Sequence, residues 1–131
     1  MFVLVVGGGK VGYYLTKELI ENGHEVVLME KDRARADQIA DEIGSVVVPH
    51  DGCEGKYLGE AGSNRADIVA AVTGDDEDNL VICQMAKHHF AVRRSIARVN
   101  NPKNERLFKH LGVDEIISPT RMILEIGRAH V

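Results

Sequence analysis

The chain has 131 residues, of which 44% are hydrophobic and 27% charged, the size and balance of one globular domain and too little chain for a two-domain enzyme. Lys and Arg number 16 against 20 Asp and Glu, a formal charge of −4 that excludes the basic face of a nucleic-acid binder and any attraction to an anionic membrane surface. Small molecules and other proteins remain as partners.

In chain order, short apolar runs alternate with longer amphipathic segments, the pattern of parallel strands with crossover helices. The run Phe2–Val6 enters a glycine cluster and then a helix whose expected apolar stripe is Val11, Tyr14, Leu15 and Leu19, closed by Gly23. A second strand, Glu25–Met29, precedes a helix that Asp32 can cap and Gly44 can end, with Ala36, Ile39, Ala40 and Ile43 on one face. The third strand is expected at 45–48. Residues 53–62 predict only a short or frayed helix, because Gly55 and Gly59 each cost a helix interior about 1 kcal/mol relative to alanine. A fourth strand at 68–72 leads into a helix that starts on an acidic run, and a fifth strand at 95–99 precedes Asn101-Pro102, an N-cap followed by proline at the first helical position. Gly112 ends that helix before the last strand, Glu115–Ile117. Strict alternation with right-handed crossovers predicts one α/β domain, a Rossmann-like doubly wound parallel sheet of six strands in order 3-2-1-4-5-6, with its ligand crevice at the carboxyl ends of strands one and four.

The residues with chemical character collect at those strand ends. Gly7-Gly8-Gly9-Lys10-Val11-Gly12 is a G-x-G-x-x-G directly after a strand and opening a helix. In that context the first glycine permits a tight turn, Gly9 lets backbone approach a pyrophosphate, Gly12 allows close helix–strand packing, and free N–H groups face the anion. Glu30 ends the second strand, where an acidic side chain accepts hydrogen bonds from ribose hydroxyls. Its carboxylate repels a 2′-phosphate, favouring NAD over NADP, although Lys31 and Arg33 follow and partly compensate. The loops His50-Asp51-Gly52-Cys53 and Thr73-Gly74-Asp75-Asp76-Glu77-Asp78-Asn79 border the crevice. The acidic run suits a helix N-terminus, and cation binding is its alternative reading. Arg98 ends the fifth strand with a guanidinium suited to a phosphate or a neighbouring subunit.

No catalytic residue and no metal ligand is assigned. The six histidines have no ligand spacing, and Cys53 and Cys83 form neither a C-x-x-C pair nor a metal-binding pattern, so both are expected as reduced thiols. No G-x-S-x-G elbow or cysteine–histidine nucleophile is present, and a dehydrogenase needs a proton donor that normally comes from another domain. With no apolar stretch approaching the roughly 18 residues of a membrane span and no signal peptide, the domain is expected in the cytosol.

Four linked motifs carry a resemblance. Val5-Val6-Gly7-Gly8-Gly9-Lys10-Val11-Gly12-Tyr13-Tyr14-Leu15, Leu28-Met29-Glu30-Lys31-Asp32, Val72-Thr73-Gly74-Asp75-Asp76-Glu77-Asp78-Asn79-Leu80 and Ala97-Arg98-Val99-Asn100-Asn101-Pro102 closely resemble the nucleotide-binding N-terminal (TrkA-N) domain of Trk-type potassium-uptake regulators, the KTN or RCK family. The resemblance implies a non-enzymatic regulatory subunit that binds NAD or NADH, in some relatives ATP or ADP. Such subunits assemble as homodimers, up to an octameric ring, beneath a membrane potassium-translocating subunit at the inner face of the membrane. Carried over by position, Gly7 to Val11 hold phosphates, Glu30 the ribose, Asp51-Gly52 the adenosine side, Thr73-Gly74 the crevice floor and Arg98 a phosphate or the partner. The stretch Gly52-Cys53-Glu54-Gly55 departs from the commoner Ala-Thr or Ala-Ser after this aspartate, which puts adenine-side contacts there in question.

The expected domain is 1–125, without the C-terminal ligand domain common in the family. A common sequencing-adapter read translates to the same six residues as 126–131, which marks that tail as a candidate artefact. Two other functions share the glycine turn and acidic strand end. The runner-up is the cofactor-binding fragment of an NAD-dependent dehydrogenase; the weaker one is an S-adenosylmethionine methyltransferase, which needs an antiparallel seventh strand.

Overall fold

The computed structural model describes residues 1–44 and 46–118. Strands β1 (Phe2–Val6), β2 (Glu25–Met29), β3 (Val47–Val48), β4 (Ile68–Ala71), β5 (Arg94–Arg98) and β6 (Glu115–Ile117) alternate with helices α1 (Lys10–Glu21), α2 (Arg33–Ile43), α3 (Gly55–Glu60), α4 (Asp76–His88) and α5 (Glu105–His110). All six strands are parallel and lie in the order β3-β2-β1-β4-β5-β6, as the alternation predicts.

β1 is central, with Val3 opposite Val26 on one side and Ile68 on the other, and every one of its residues is buried. Its side chains alternate between two faces, and each face is covered by helices, which is why the run shows no polar interruption. Phe2, Leu4 and Val6 join Leu58, Ile82 and Phe108 beneath α3, α4 and α5. Val3 and Val5 join Ile39, with Val11, Leu15 and Leu19 packed against them from α1.

Several element ends are set by the expected devices. Asp32 accepts the Arg35 N–H at 3.2 Å at the start of α2, and Gly23, Gly44 and Gly112 all adopt positive φ. Asn101 accepts the Lys103 N–H at 3.1 Å, but the helix it starts is a 3-10 turn, Pro102–Asn104, that leads into α5. α3 is short as expected, and its Gly59 leaves room for the Phe90 ring, which a Cβ there would approach to 3.1 Å.

Four expectations need correction. β3 is Val47–Val48 and not 45–48; Val46 still accepts the Leu28 N–H at 2.9 Å, and Ser45 lies outside the described residues. β4 ends at Ala71, before Val72, because the chain turns there into a loop captured by α4. β5 starts and ends one residue early, at Arg94 and Arg98. Tyr14 is 64% exposed and is not part of the α1 stripe. Gly12 must face the glycine turn, and at about 100° per residue Tyr14 then points some 200° away. The boundary at 125 and the tail 126–131 lie outside the described residues. Among the described residues no helix is long and apolar enough to cross a membrane.

Candidate nucleotide site

The glycine turn is built by close approach. Gly7 follows β1, donates its N–H to the Met29 carbonyl at 2.8 Å and has φ +115°, and a Cβ on it would lie 2.9 Å from the Thr73 nitrogen. A Cβ on Gly12 would collide with the Gly7 carbonyl oxygen. Gly9 differs from both: nothing lies within 4 Å of where its Cβ would be. It is the N-cap of α1 and supplies no side-chain acceptor, whereas Asp32 caps α2 and Asp75 caps α4. The first-turn N–H groups of α1 therefore have the unsatisfied, positively polarised character that suits an anion.

The turn opens into a cleft of about 230 Å³ at the carboxyl ends of the strands. Of the sequence-predicted residues, Gly7, Gly8, Gly9, Glu30, Lys31, Asp51, Gly52, Thr73, Gly74 and Arg98 line this cleft together. Lys10, Val11 and Gly12 do not: Lys10 is exposed, Val11 packs against the α1-side core, and Gly12 sits behind the turn. Val6, Met29, Val72 and Ile82 provide the apolar part of the wall. Sequence reasoning did not single out Arg35 as a wall residue, although it stands on the first turn of α2, beside the acidic strand end.

Glu30 is only 6% exposed. Its Oε1 accepts the Gly8 N–H at 2.8 Å, its Oε2 accepts the Asp32 N–H at 2.7 Å, and the Arg35 Nη1 lies 3.6 Å from Oε1. These partners fix the carboxylate at the cleft edge and leave each oxygen lone-pair capacity for further donors. Lys31 reaches across the mouth to Asp78, with Nζ and Oδ2 3.8 Å apart. Arg33 turns instead to Asp37, 3.9 Å away on its own helix.

On the other side of the cleft, Asn79 is fully buried and ties the ends of β4 and β5 together. Its Oδ1 accepts the Thr73 N–H at 2.9 Å and the Thr73 hydroxyl at 2.7 Å, while its amide donates to the carbonyls of Thr73 and Arg98 at 3.0 and 2.9 Å. Asp76 accepts the N–H groups of Asn100 and Asn101 at 2.7 and 2.9 Å and the side-chain amides of Asn100 and Asn104 at 3.0 and 2.9 Å. Burial pushes its carboxyl up, but these donors outweigh it and hold the group below its ordinary value. Two carboxylates of the acidic run thus serve as a cap and a clamp, and among the described residues no group of three or more His, Cys, Asp or Glu is arranged to hold a metal ion. Arg98 lines the cleft, and its Nε is buried without a hydrogen-bond partner.

Asp51 accepts the Cys53 N–H at 2.9 Å, and a Cβ on Gly52 would come within 2.5 Å of Val6 Cγ1, so glycine suits the branched side chain beneath it. The two cysteines are unpaired. Burial, then the neighbouring Asp51 and Asp78, pushes the Cys53 thiol up to about 12, and burial does the same for Cys83. Neither is an activated nucleophile.

The TrkA-N domain family model matches residues 3–119. The chain belongs to the TrkA-N domain family. Curated relatives agree: it is 40% identical over 121 residues to the Trk system potassium uptake protein TrkA homolog of Methanothermobacter thermautotrophicus, and 39% identical over 133 residues to the Trk system potassium uptake protein TrkA of Mycobacterium tuberculosis. Those matches cover 92% and 96% of this TrkA-N domain chain but 56% and 57% of the two relatives, so it spans little more than half their length. Among solved structures, the NAD(P)-binding domain of an exopolyphosphatase-related protein from Archaeoglobus fulgidus superposes with a TM-score of 0.85 at 23% identity, covering 98% of this chain and 95% of that one. The GsuK channel bound to NAD superposes with a TM-score of 0.76 at 24% identity, covering 89% of this chain and 20% of that one. GsuK bound to ADP gives the same TM-score and identity, over 89% of this chain and 30% of that one. At these identities the structures establish that the TrkA-N domain has the same fold.

Proposed function

We propose that this chain is the regulatory, non-enzymatic nucleotide-binding part of a potassium-uptake system, taking NAD or NADH in its cleft. The observation that carries this reading is the uncapped start of α1 opening on the same cleft as the fixed Glu30 carboxylate and the Arg98 side chain. Phosphates lie against the glycine turn, the ribose hydroxyls donate to Glu30, and Arg98 meets a phosphate or a neighbouring subunit. A dinucleotide supplies both acceptors and donors in that arrangement. ATP and ADP offer the same sugar and phosphates and are the alternative ligands; the name of the ADP-bound GsuK neighbour supports them as the NAD-bound one supports NAD.

The names of the curated relatives support the wider role. In it, the chain works in the cytoplasm as a homodimer, assembling up to an octameric ring, against the inner face of a membrane potassium-translocating subunit. Ligand exchange changes the arrangement of that assembly. The driving force is a difference in affinity between two arrangements, and a coupling of about 1–3 kcal/mol corresponds to only some 5- to 150-fold. Thermal shift with NAD, NADH, NADP, ATP and ADP tests the reading, because ligand at about 100 times its dissociation constant adds roughly 2.7 kcal/mol of stability. The expected result is stabilisation by NAD and NADH with little shift from NADP. A preference for NADP overturns the role given to Glu30, and hydride transfer to a carbonyl substrate by the gene product overturns the non-enzymatic reading in favour of a dehydrogenase.

A further inference from the structure

Lys31, Arg33 and Arg35 follow the acidic end of β2, and each has a different partner. Lys31 pairs across the cleft mouth with Asp78 at 3.8 Å, and Arg33 pairs with Asp37 on its own helix at 3.9 Å. Arg35 goes to Glu30, with Nη1 3.6 Å from Oε1, and lines the cleft beside that carboxylate. The cap of α2 explains the placement: Asp32 accepts the Arg35 N–H at 3.2 Å, which sets Arg35 on the first turn of the helix. The compensating charge that the sequence assigns to Lys31 and Arg33 is thus supplied by Arg35. Glu30 itself is pinned. Its Oε1 accepts the Gly8 N–H at 2.8 Å and its Oε2 the Asp32 N–H at 2.7 Å, and a Cβ on Gly8 would lie only 3.0 Å from Oε1. The carboxylate cannot swing aside for a ligand it repels.

A phosphate on the ribose 2′ oxygen changes what this corner meets. The free hydroxyl donates to Glu30, whereas a phosphate there brings only acceptors and about −1.5 to −2 of charge at pH 7. Beside a fixed carboxylate that charge is repelled, and Arg35, half-exposed and already engaged, offsets only part of the repulsion. We propose that Arg35 is a specificity-determining residue of the cleft: paired with Glu30 it leaves the free ribose diol as the accepted sugar, and with the Glu30 charge removed its guanidinium holds a 2′-phosphate. A guanidinium forks onto phosphate as it does onto carboxylate, so one anion can take the place of the other. The refusal of NADP is then a balance of two charges and not a matter of shape. This rests on the nucleotide reading and deepens it, adding to the carboxylate at the ribose the cation that decides the 2′ position.

Calorimetric titration with NAD and NADP, on the wild type, Glu30→Gln, Arg35→Gln and the double variant, tests this. The readout is the ratio of the two affinities within one variant, because partial unfolding lowers both alike and cancels. Glu30→Gln is expected to weaken NAD and to strengthen NADP by roughly 5- to 20-fold, the range for one half-exposed charge-assisted pair. Adding Arg35→Gln removes most of that gain and leaves NAD within about threefold of the Glu30→Gln value. Arg35→Gln alone moves the ratio further toward NAD, by about 2- to 5-fold. A gain for NADP that survives in the double variant overturns the role of Arg35, since relief of the carboxylate then suffices. No gain in Glu30→Gln also overturns it, and NAD binding by the wild type keeps the nucleotide reading in both cases. A wild-type chain that binds neither NAD nor ADP overturns both readings together.

Discussion

Replacing Asn79 with alanine removes the tie between the ends of β4 and β5. The Thr73 N–H and the Arg98 carbonyl lose the partner that held each at 2.9 Å, and the Thr73 carbonyl loses its 3.0 Å contact but keeps the Asn100 side-chain amide at 3.4 Å. The Thr73 hydroxyl keeps the Asp75 carbonyl, 3.1 Å away. A buried polar group without a partner costs about 1–3 kcal/mol, but Thr73 and Arg98 border the cleft, where water satisfies part of the deficit. Adding a modest cavity term brings the expected loss to about 3–4 kcal/mol, a large share of the 5–15 kcal/mol typical of a domain. Urea unfolding followed by circular dichroism reads this as a lower midpoint at unchanged m-value. Affinity for NAD falls as well, because both residues that Asn79 holds face the ligand space. A loss below about 1 kcal/mol refutes the reasoning, for then the parallel ladder alone fixes these two strand ends.

The two glycines of the turn separate packing from binding: Gly12→Ala drives a Cβ into the Gly7 carbonyl and is expected to cost more than about 2 kcal/mol in thermal or urea unfolding. Gly9→Ala meets open space and costs less than about 1 kcal/mol, yet weakens phosphate-bearing ligands in titration. The depressed Asp76 carboxyl contributes stability above its unfolded-state value of about 4 that is lost as pH falls through the lower folded-state value. The difference in urea midpoint between wild type and Asp76→Asn is therefore present at pH 7 and shrinks below about pH 4, and a constant difference over that range contradicts the clamp. Asp78→Asn frees Lys31 and removes a negative charge at the cleft mouth, so ADP binding strengthens by about 2- to 5-fold at low salt, with the gain fading near 0.5 M salt and no change for adenosine.

The sheet order was legible because a doubly wound fold repeats one unit, and each repeat shows its own apolar run and punctuation. Glycine positions were legible for the same reason: Gly7 and Gly12 are demanded by backbone close approach, a local requirement that sequence spacing records. The rotation of α1 was misread at Tyr14, since an apolar stripe gives a face only to within a residue and the turn's packing against Gly12 decides between neighbouring solutions. Strand ends shifted by a residue where the following loop is captured from elsewhere, as Asn79 captures Thr73. Arg35 was not legible, because it belongs to the site through tertiary placement and no spacing rule links it to the glycine turn, whereas His50 was legible as part of the loop after β3. The acidic run carried two readings in the sequence, and only geometry could assign Asp75 to a helix cap and Asp76 to a clamp.

That clamp has a mechanical consequence. By gripping Asn100, Asn101 and Asn104 with one carboxylate, Asp76 welds the first turn of α4 to the segment that carries the chain from β5 into α5. Asp75 and Asp78, its near neighbours, stand at the cleft. The cleft margin and the segment after β5 are therefore joined as one piece by four hydrogen bonds to a single side chain, at the strand ends and outside the packed interior.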